Sequence, residues 1–194
     1  MDLLLASTSA IRGTLLEQAG VSFAAVPPEV DEAAIKAAHD GSDAELAIAL
    51  ARAKALNVSR DRRRSLVIGS DSIVSVDGRR FSKPANRSEA AEHLRFFSGK
   101  AMNLTSAVAL ARDGVVEWST AEEARLHVRP LSEAFIADYL DREWPQVSYC
   151  VGVFRLEGPG VQLFERIEGD HFTILGLPLL PLLDALRKRG MLAS

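Results

Sequence analysis

Two short apolar runs constrain the fold of this chain most, because each leads directly into hydroxyl-bearing residues. The first run, Leu-Leu-Leu-Ala at 3–6, precedes Ser-Thr-Ser at 7–9 and a helical pattern that ends at Gly20. The second run, at 65–69, precedes Ser-Asp-Ser at 70–72. Short apolar runs bounded in this way are typical of buried strands. The sequence therefore predicts buried strands that alternate with helices.

Other segments add hairpins to this pattern. Alternating residues over 101–129, with a turn at Asp113-Gly114, predict a long antiparallel hairpin. A second strand is expected over 21–26. Helices are predicted to begin after hydroxyl residues that can act as N-caps, at Ser42, Ser88 and Ser132. Because strands alternate with helices and also form hairpins, the sequence predicts an α/β fold with a mixed sheet.

Composition excludes two classes of partner and favours one compartment. The 194 residues carry a net charge of −3, so no basic excess points to nucleic acid or an anionic membrane. No apolar run approaches the roughly 18 residues of a membrane span. The single cysteine, Cys150, allows no intrachain disulfide. We therefore expect a cytoplasmic protein with a single domain over residues 1–194.

The loop after the first strand has the chemistry of an anion site. A strand-to-helix junction directs free backbone N–H groups and the positive end of the helix dipole at one point. Ser7 and Ser9 add hydroxyl donors, and Arg12 adds a planar guanidinium suited to phosphate oxygens. The alternative is that Ser9 only caps the helix and that Arg12 is a solvated helix residue.

Four further charged positions fit the same chemistry. Carboxylates at 29–32 and at Asp71 can ligate magnesium or manganese, although helix-start charges and a turn-forming aspartate are alternatives. Asp71 follows a buried strand, where ligands gather in α/β sheets, and it can accept a proton from water. Lys54 either extends to solvent from an apolar helix face or enters a cleft. Lys83 either holds a phosphate or is a surface lysine.

In this order, these segments resemble the Maf family of nucleoside triphosphate pyrophosphatases. The opening, LLLASTSAIRGTLLEQAG, is similar to the family's Leu-Ala-Ser-x-Ser-Pro-x-Arg signature. Each remaining segment resembles a family motif further along the chain. They are EVDE, LARAKA, GSDSIV, FSKP, LRFFSGK and GLPLLPLLDAL.

Two positions distinguish branches within that family. The branch that acts on dTTP and UTP has a second arginine where this chain has Ile11, and a glutamine where it has Glu157. The branch that acts on 7-methyl-GTP has tryptophan and glutamate at these places. A carboxylate at 157 suits a cationic 7-methylguanine base, because it accepts from N1–H and from the exocyclic amine. Ile11 departs from both branches.

The resemblance implies hydrolysis of 7-methyl-GTP, or of a related modified nucleotide, to the monophosphate and pyrophosphate. Asp71 would activate the water that attacks the α-phosphorus, and Glu32 and Asp71 would hold a divalent cation, magnesium or manganese. The phosphates and the base would contact the remaining site residues. These are Ser7, Ser9, Arg12, Lys54 and Lys83 for the phosphates, and Ile11, Ser72 and Glu157 for the base.

The resemblance also implies a fold and a partner. The fold is a mixed, twisted sheet flanked by helices, with two lobes and a central cleft, as in Maf and inosine-triphosphatase-like proteins. Family members are often homodimers, which the sequence does not argue against. Two other functions stay open: a dTTP/UTP pyrophosphatase of the same family, and a nucleotide-binding regulator of cell division that needs no catalysis.

Overall fold

The first strand, β1, is the apolar run Leu3–Ala6, and all four of its side chains are buried. In the computed structural model, which describes residues 2–193, β1 leads into helix α1 (Ala10–Gln18). The predicted strand–loop–helix opening is confirmed. Leu15 and Leu16 of α1 face the core together with Leu5 of β1.

The other elements follow in chain order. The strands are β2 (Ala24–Ala25), β3 (Leu66–Val76), β4 (Arg79–Phe81), β5 (Ala101–Arg112), β6 (Val115–Val128) and β7 (Phe164–Glu168). The α-helices are α2 (Glu32–Ala37), α3 (Asp43–Asp61), α4 (Arg87–Phe97), α5 (Glu133–Glu143), α6 (His171–Ile174) and α7 (Leu179–Arg187). Two short 3-10 helices cover Gln146–Tyr149 and Pro159–Leu163.

The strands form a seven-stranded sheet in the order β2-β1-β3-β5-β6-β7, with β4 paired to β3. Strand β1 is parallel to both β2 and β3, and its register to β3 runs from Leu3↔Leu66 to Ala6↔Gly69. Strand β4 is antiparallel to β3, and β7 is antiparallel to β6. The predicted mixed α/β sheet is therefore confirmed.

The chain divides into two units. Unit 1 comprises Met1–Ser72, Thr105–Glu123 and Asp170–Ser194, and unit 2 comprises Ile73–Leu104 and Ala124–Gly169. The core of unit 1 joins side chains of β1, α1, β3, β5 and α7, including Leu16, Ile68 and Leu182, none of which reaches solvent. Burial of this apolar surface is the main favourable term in folding of the unit.

In unit 2, α4 packs against α5, and an aromatic cluster lies beside α4. The rings of Phe81 and His93 meet edge to face with 5.0 Å between their centroids, and Phe81 and Phe97 do so at 4.7 Å. Arg95 on α4 forms a bidentate ion pair with Glu133 on α5. None of the helices within residues 2–193 is long and apolar enough to cross a membrane.

Two element boundaries differ from the sequence predictions. The strand expected over 21–26 covers only Ala24–Ala25, because the Val21 N–H donates to the Leu16 carbonyl and closes the end of α1 instead. The N-cap of α4 is Asn86 rather than Ser88, since the Asn86 side chain accepts from the Glu89 N–H at 2.9 Å. The cap lies two residues earlier than predicted, and the helix begins with it at Arg87.

Strand β3 also differs from its prediction. The sequence predicts a strand that ends in 70–72 and then a run at 73–76 that leads to a hairpin turn at Asp77-Gly78, but a single strand, β3, covers both runs. The reason is a change of partner, because Val74–Val76 pair with β4 after the parallel pairing with β1 ends at Gly69. Asp71 therefore lies within a strand, just past the carboxyl end of β1.

Candidate functional site

The candidate site in unit 1 is built around a lysine held by two carboxylates. The Lys54 ammonium contacts Asp71 Oδ1 at 2.5 Å and Glu32 Oε1 at 2.8 Å. Lys54 and Asp71 are both buried, whereas Glu32 is about two-fifths exposed, at 39%. The prediction that Lys54 extends to solvent is therefore wrong, and its alternative, an inward-reaching lysine, is confirmed.

Helix α3 positions Lys54. The helix begins with the predicted capping box, in which the Ser42 hydroxyl accepts from the Glu45 N–H and the Glu45 carboxylate accepts from the Ser42 N–H. Lys54 lies on the buried side of α3, four residues after Leu50. Residues four apart share one helix face, which directs Lys54 toward β3 with the core residues.

A glycine in β3 allows α3 to approach closely enough for this contact. A Cβ atom at Gly69 would lie 2.2 Å from the Ala51 carbonyl oxygen and 2.6 Å from the Ala55 nitrogen. These are backbone atoms of α3, so the helix lies directly on the strand at this position. Asp71 follows two residues later on the same strand and meets Lys54.

The electrostatics of Glu32 follow from its two lysine neighbours. Glu32 is the first residue of α2, and it also pairs with Lys36 at 3.4 Å. Partial burial alone would raise the pKa of Glu32, but hydrogen bonds and charge from Lys54 and Lys36 outweigh that effect and lower the pKa below its ordinary value. Glu32 is therefore held as a carboxylate.

Arg12 is buried on α1 and donates hydrogen bonds through all three of its nitrogens. Nε donates to the Gly176 carbonyl at 2.8 Å, Nη1 to the Ser70 carbonyl at 3.0 Å and Nη2 to the Ser72 hydroxyl at 3.0 Å. Burial lowers the pKa of Arg12, while the charges of Asp71 and Glu32 oppose this shift. The alternative of a solvated helix arginine is wrong.

The loop before α1 lies beside this arginine and borders a cavity. The buried Ser7 hydroxyl accepts from the Ser9 N–H at 3.1 Å and lies 3.5 Å from Arg12 Nη1. Ser9 is the N-cap residue of α1, but its side chain makes no capping hydrogen bond, and Ile11 is half-buried. A cavity of about 490 Å³ is lined by Ser7, Ser9 and neighbouring residues, among them Phe23.

The structure places two predicted site residues, Lys83 and Glu157, in unit 2. Both are exposed: Lys83 follows β4, and Glu157 lies in the turn that the Gly158 N–H closes onto the Arg155 carbonyl. Both act electrostatically on Cys150, so they share one neighbourhood of this unit. The other predicted site residues belong to unit 1.

Cys150 does not have the properties of a nucleophile. Burial, followed by the charge of Glu157, raises the pKa of the thiol to about 11, although Arg155 and Lys83 oppose that shift. A thiol with this pKa stays protonated at neutral pH and is unreactive.

Sequence reasoning missed four residues that join this site. Ser70 and Gly176 accept from Arg12 through their carbonyls, and Ser106 and Thr173 continue the hydrogen bonds from Ser72. One signal was available, since Thr105-Ser106 interrupts an otherwise apolar stretch of β5 (LTSAVALA). Hydroxyl groups in the middle of a buried strand need hydrogen-bond partners, so such positions are candidates for a polar site.

The oxygen donors fit a divalent cation that is shared with a bound phosphate. Glu32 and Asp71 converge on the single Lys54 nitrogen, so two hard carboxylates lie within reach of one cation. Magnesium is commonly held by one or two carboxylates together with substrate phosphates. Across residues 2–193 no group of three or more His, Cys, Asp or Glu side chains forms a fuller metal site.

The fold and this site define an α/β protein with a buried cluster of charged side chains that includes Arg12, Lys54 and Asp71. The chain belongs to the Maf-like protein family, whose sequence model matches residues 2–189. The resemblance seen in the motifs is confirmed.

Similar proteins carry two related names. The chain is 50% identical over 191 residues to a Rhizobium etli protein named 7-methyl-GTP pyrophosphatase, with 97% of this chain and 96% of that protein covered. It is 48% identical over 192 residues to a Nitrobacter hamburgensis protein named nucleoside triphosphate pyrophosphatase, with 98% and 95% covered. A solved structure, described as a nucleoside-triphosphatase and dITP/XTP pyrophosphatase from Mycobacterium abscessus, is 17% identical with a TM-score of 0.41 and covers 98% of this chain and 94% of its own.

Proposed function

We propose that this chain is a nucleoside triphosphate pyrophosphatase that converts 7-methyl-GTP, or a related modified nucleotide, to the monophosphate and pyrophosphate. The observation that carries the proposal is the contact of the buried Lys54 with Asp71 and Glu32, whose charges also act on Arg12 of α1. Such a cluster combines a proton acceptor with cations for phosphate. The names of similar proteins support both the reaction and the substrate.

Asp71 is the proposed general base. Its Oδ1 is held by Lys54, which leaves Oδ2 to accept a proton from the water that attacks the α-phosphorus. Lys54 fixes the carboxylate in one orientation, and a fixed base loses less entropy on reaching the transition state. The proton from water moves to Asp71, and the pyrophosphate group leaves.

The phosphates are proposed to lie against the loop before α1. Ser7 and Ser9 offer their hydroxyl groups, since their backbone N–H groups already donate within the loop, and Lys54 offers its ammonium. Arg12 contributes positive charge, while its hydrogen bonds hold the surrounding backbone in place. We further assign Lys83 to the phosphates, because a compact ammonium suits phosphate oxygens.

A divalent cation, magnesium or manganese, would be held by Glu32 and Asp71. When bound, it would offset the negative charge of the phosphates and of the leaving pyrophosphate. The protein's own part is to hold both carboxylates charged, which Lys54 and Lys36 do for Glu32.

The base is assigned to Glu157, Ile11 and Ser72. Glu157 is exposed and free to accept from the donor edge of a cationic purine. The half-buried Ile11 offers an apolar contact.

The exchange Asp71→Asn tests the reaction. It keeps the shape of the side chain but removes the proton acceptor, so we expect pyrophosphate release to fall by about 100-fold or more. Nucleotide binding, measured by calorimetry, should persist. Asp184→Asn is a matched control, because Asp184 forms only an exposed i,i+4 pair with Lys188. A wild-type protein that binds nucleotide but releases no pyrophosphate with either metal would favour the regulator instead.

A substrate panel tests the base assignment. We expect the highest kcat/KM with 7-methyl-GTP among 7-methyl-GTP, GTP, dTTP and UTP. Glu157→Gln should reduce the ratio of kcat/KM for 7-methyl-GTP to that for the other nucleotides, since an amide oxygen accepts hydrogen bonds less strongly than a carboxylate. Faster turnover of the pyrimidine nucleotides by the wild-type protein would assign the chain to the dTTP/UTP branch.

We also propose that residues 1–194 work as a single domain, as a homodimer, in the cytoplasm. The proposal of a single domain is supported by the way the strands run, because β3, β5 and β6 each contribute residues to both units. A single cysteine with a protonated thiol is suited to a reducing compartment.

A further inference from the structure

A line of hydroxyl groups connects Arg12 to two distant segments of unit 1. Arg12 Nη2 donates to Ser72 Oγ at 3.0 Å, and Ser72 Oγ lies 2.9 Å from Ser106 Oγ on β5. Ser106 Oγ then donates to the Thr173 carbonyl on α6 at 2.8 Å. Neither Ser106 nor Thr173 is accessible to solvent, so water cannot replace a lost partner of these two residues.

The direction of each hydrogen bond follows from counting protons. A serine hydroxyl has one proton to donate and lone pairs that accept. Ser106 uses its proton on the Thr173 carbonyl, which can only accept. Between the two serines, Ser72 must therefore be the donor. The Ser72 proton thus points toward Ser106, and its remaining lone pair is the only group that it can offer to a ligand.

The far end of this line is firmly anchored. The Thr173 N–H donates to Asp170 Oδ2 at 2.8 Å, and the Thr173 hydroxyl donates to Glu122 Oε2 at 2.8 Å. The same segment supplies the Gly176 carbonyl, which accepts from both Arg12 Nε and the Ser70 hydroxyl. Arg12 is thus held by the segment 170–176 as well as by Ser70 and Ser72 of β3.

We propose that Ser106 is a positioning residue for nucleotide binding, which acts through Ser72 on Arg12. It turns the Ser72 hydroxyl so that this group meets the nucleotide only as an acceptor, and it holds Ser72 where Arg12 can donate to it. This proposal rests on the proposed function, because the ligand it positions for is the nucleoside triphosphate. It assigns a role to a residue that contacts neither Lys54 nor Asp71 in the described hydrogen bonds.

Ser106→Ala removes the acceptor of the Ser72 proton. Ser72 is then free to rotate, so we expect KM for the nucleoside triphosphate to rise roughly tenfold, with a smaller change in kcat. The dissociation constant of inorganic pyrophosphate, measured by calorimetry, should rise by a similar factor. Ser106→Thr keeps the hydroxyl and should restore most of the affinity. Ser59→Ala deletes another fully buried hydroxyl, bonded to Leu56 and Gly114, and should leave KM unchanged.

A double-mutant cycle separates positioning from a purely structural role. If Ser106 acts through Ser72, Ser106→Ala will have no further effect on KM in a Ser72→Ala background. Additive effects, or a lower unfolding temperature with unchanged KM, would overturn the proposal. The cycle uses only alanine variants, so it tests the role of Ser106 even if a threonine does not fit at this position.

The two proposals fail in distinguishable ways. If the wild-type protein releases no pyrophosphate from any nucleotide, the proposed function is wrong. The positioning role is then judged from pyrophosphate affinity in the same four proteins of the cycle. If the wild-type protein is active and the cycle is additive, the function stands and the role of Ser106 is rejected.

Discussion

Lys54 is the cation that contacts both Asp71 and Glu32, so the pairing of the buried Asp71 depends on this one side chain. Lys54→Met keeps much of the volume but leaves the buried Asp71 without its cation. Breaking a buried ion pair in this way should lower the free energy of unfolding by about 3 kcal/mol, measured by urea denaturation.

Lys36→Met provides the matched control for that change. Lys36 pairs with the same Glu32, but both side chains are more than one-third exposed. Exposed i,i+4 pairs contribute about 0.5 kcal/mol or less, so this variant should unfold nearly as the wild type does. Equal destabilisation by the two variants would contradict the assignment of Lys54 as the central cation.

Gly176 is a second position where one side chain would disturb the site. Its φ is +96°, and a Cβ atom there would lie 3.3 Å from Ser72 Oγ and 3.6 Å from Arg12 Nε. Gly176→Ala should therefore cost about 1–3 kcal/mol of stability and also raise KM, as measured by pyrophosphate release.

The control for Gly176→Ala is Gly190→Ala. Gly190 also has a positive φ, of +67°, but a Cβ atom there would meet nothing within 4 Å. This variant should lose stability through backbone strain, but its KM should not change. If both variants alter KM equally, contact with Ser72 and Arg12 is not the cause.

At the scale of elements, local pattern was enough to predict β1, α1 and α3 and the hairpin of β5 and β6. Their signals are short-range: the Ser42–Glu45 capping box, and a turn at Asp113-Gly114, where both residues have positive φ. The hairpin of β3 and β4 has a local signal too, because the run IVSV at 73–76 leads to Asp77-Gly78, where both residues have positive φ. Local pattern does not show that one unbroken strand runs through Asp71, because this depends on pairing with β4.

The contacts of the site are long-range, which is why sequence reasoning could find its members but not their arrangement. The sequence pattern identified Arg12, Lys54 and Asp71 as charged candidates, and their order along the chain matches that of the family motifs. It could not show that Arg12 would donate to a carbonyl 164 residues away. The same holds for Ser106 and Thr173, whose partners lie on other elements.

Helix α4 carries a histidine that should make stability depend on pH. Burial lowers the pKa of His93, with Arg79 acting in the same direction and Glu89 and Glu92 opposing. An imidazole with a lower pKa in the folded chain binds its proton more readily when unfolded. The free energy of unfolding should therefore fall as pH drops below about 6.5, the ordinary pKa of histidine.

Urea denaturation at pH 7.5 and pH 5.5 tests this dependence. His93→Gln removes the titrating ring and should reduce the loss of stability at the lower pH. His171→Gln is the control, because His171 is exposed on α6. An unchanged pH dependence in His93→Gln would show that other groups cause it.

At the scale of the whole molecule, metal should matter for the reaction but not for the fold. In the part of the chain that the structure describes, no three-ligand group could hold a resident ion. The proposed function places a divalent cation at Glu32 and Asp71, so chelation with EDTA should abolish pyrophosphate release, and added magnesium or manganese should restore it. The unfolding temperature of the nucleotide-free protein should not change, whereas a structural metal would make it fall on chelation.

The close approach at Gly69 has a consequence for how such a protein can diversify. Backbone atoms of α3 occupy the space that any side chain at 69 would need, so no exchange on the helix surface can make room for one. Selection that maintains the Lys54–Asp71 contact therefore closes position 69 to the other amino acids. Exchanges at exposed positions such as Glu157 do not meet this limit, because they do not separate α3 from β3. The absence of a Cβ atom at position 69 is thus a condition for the contact of Lys54 with Asp71.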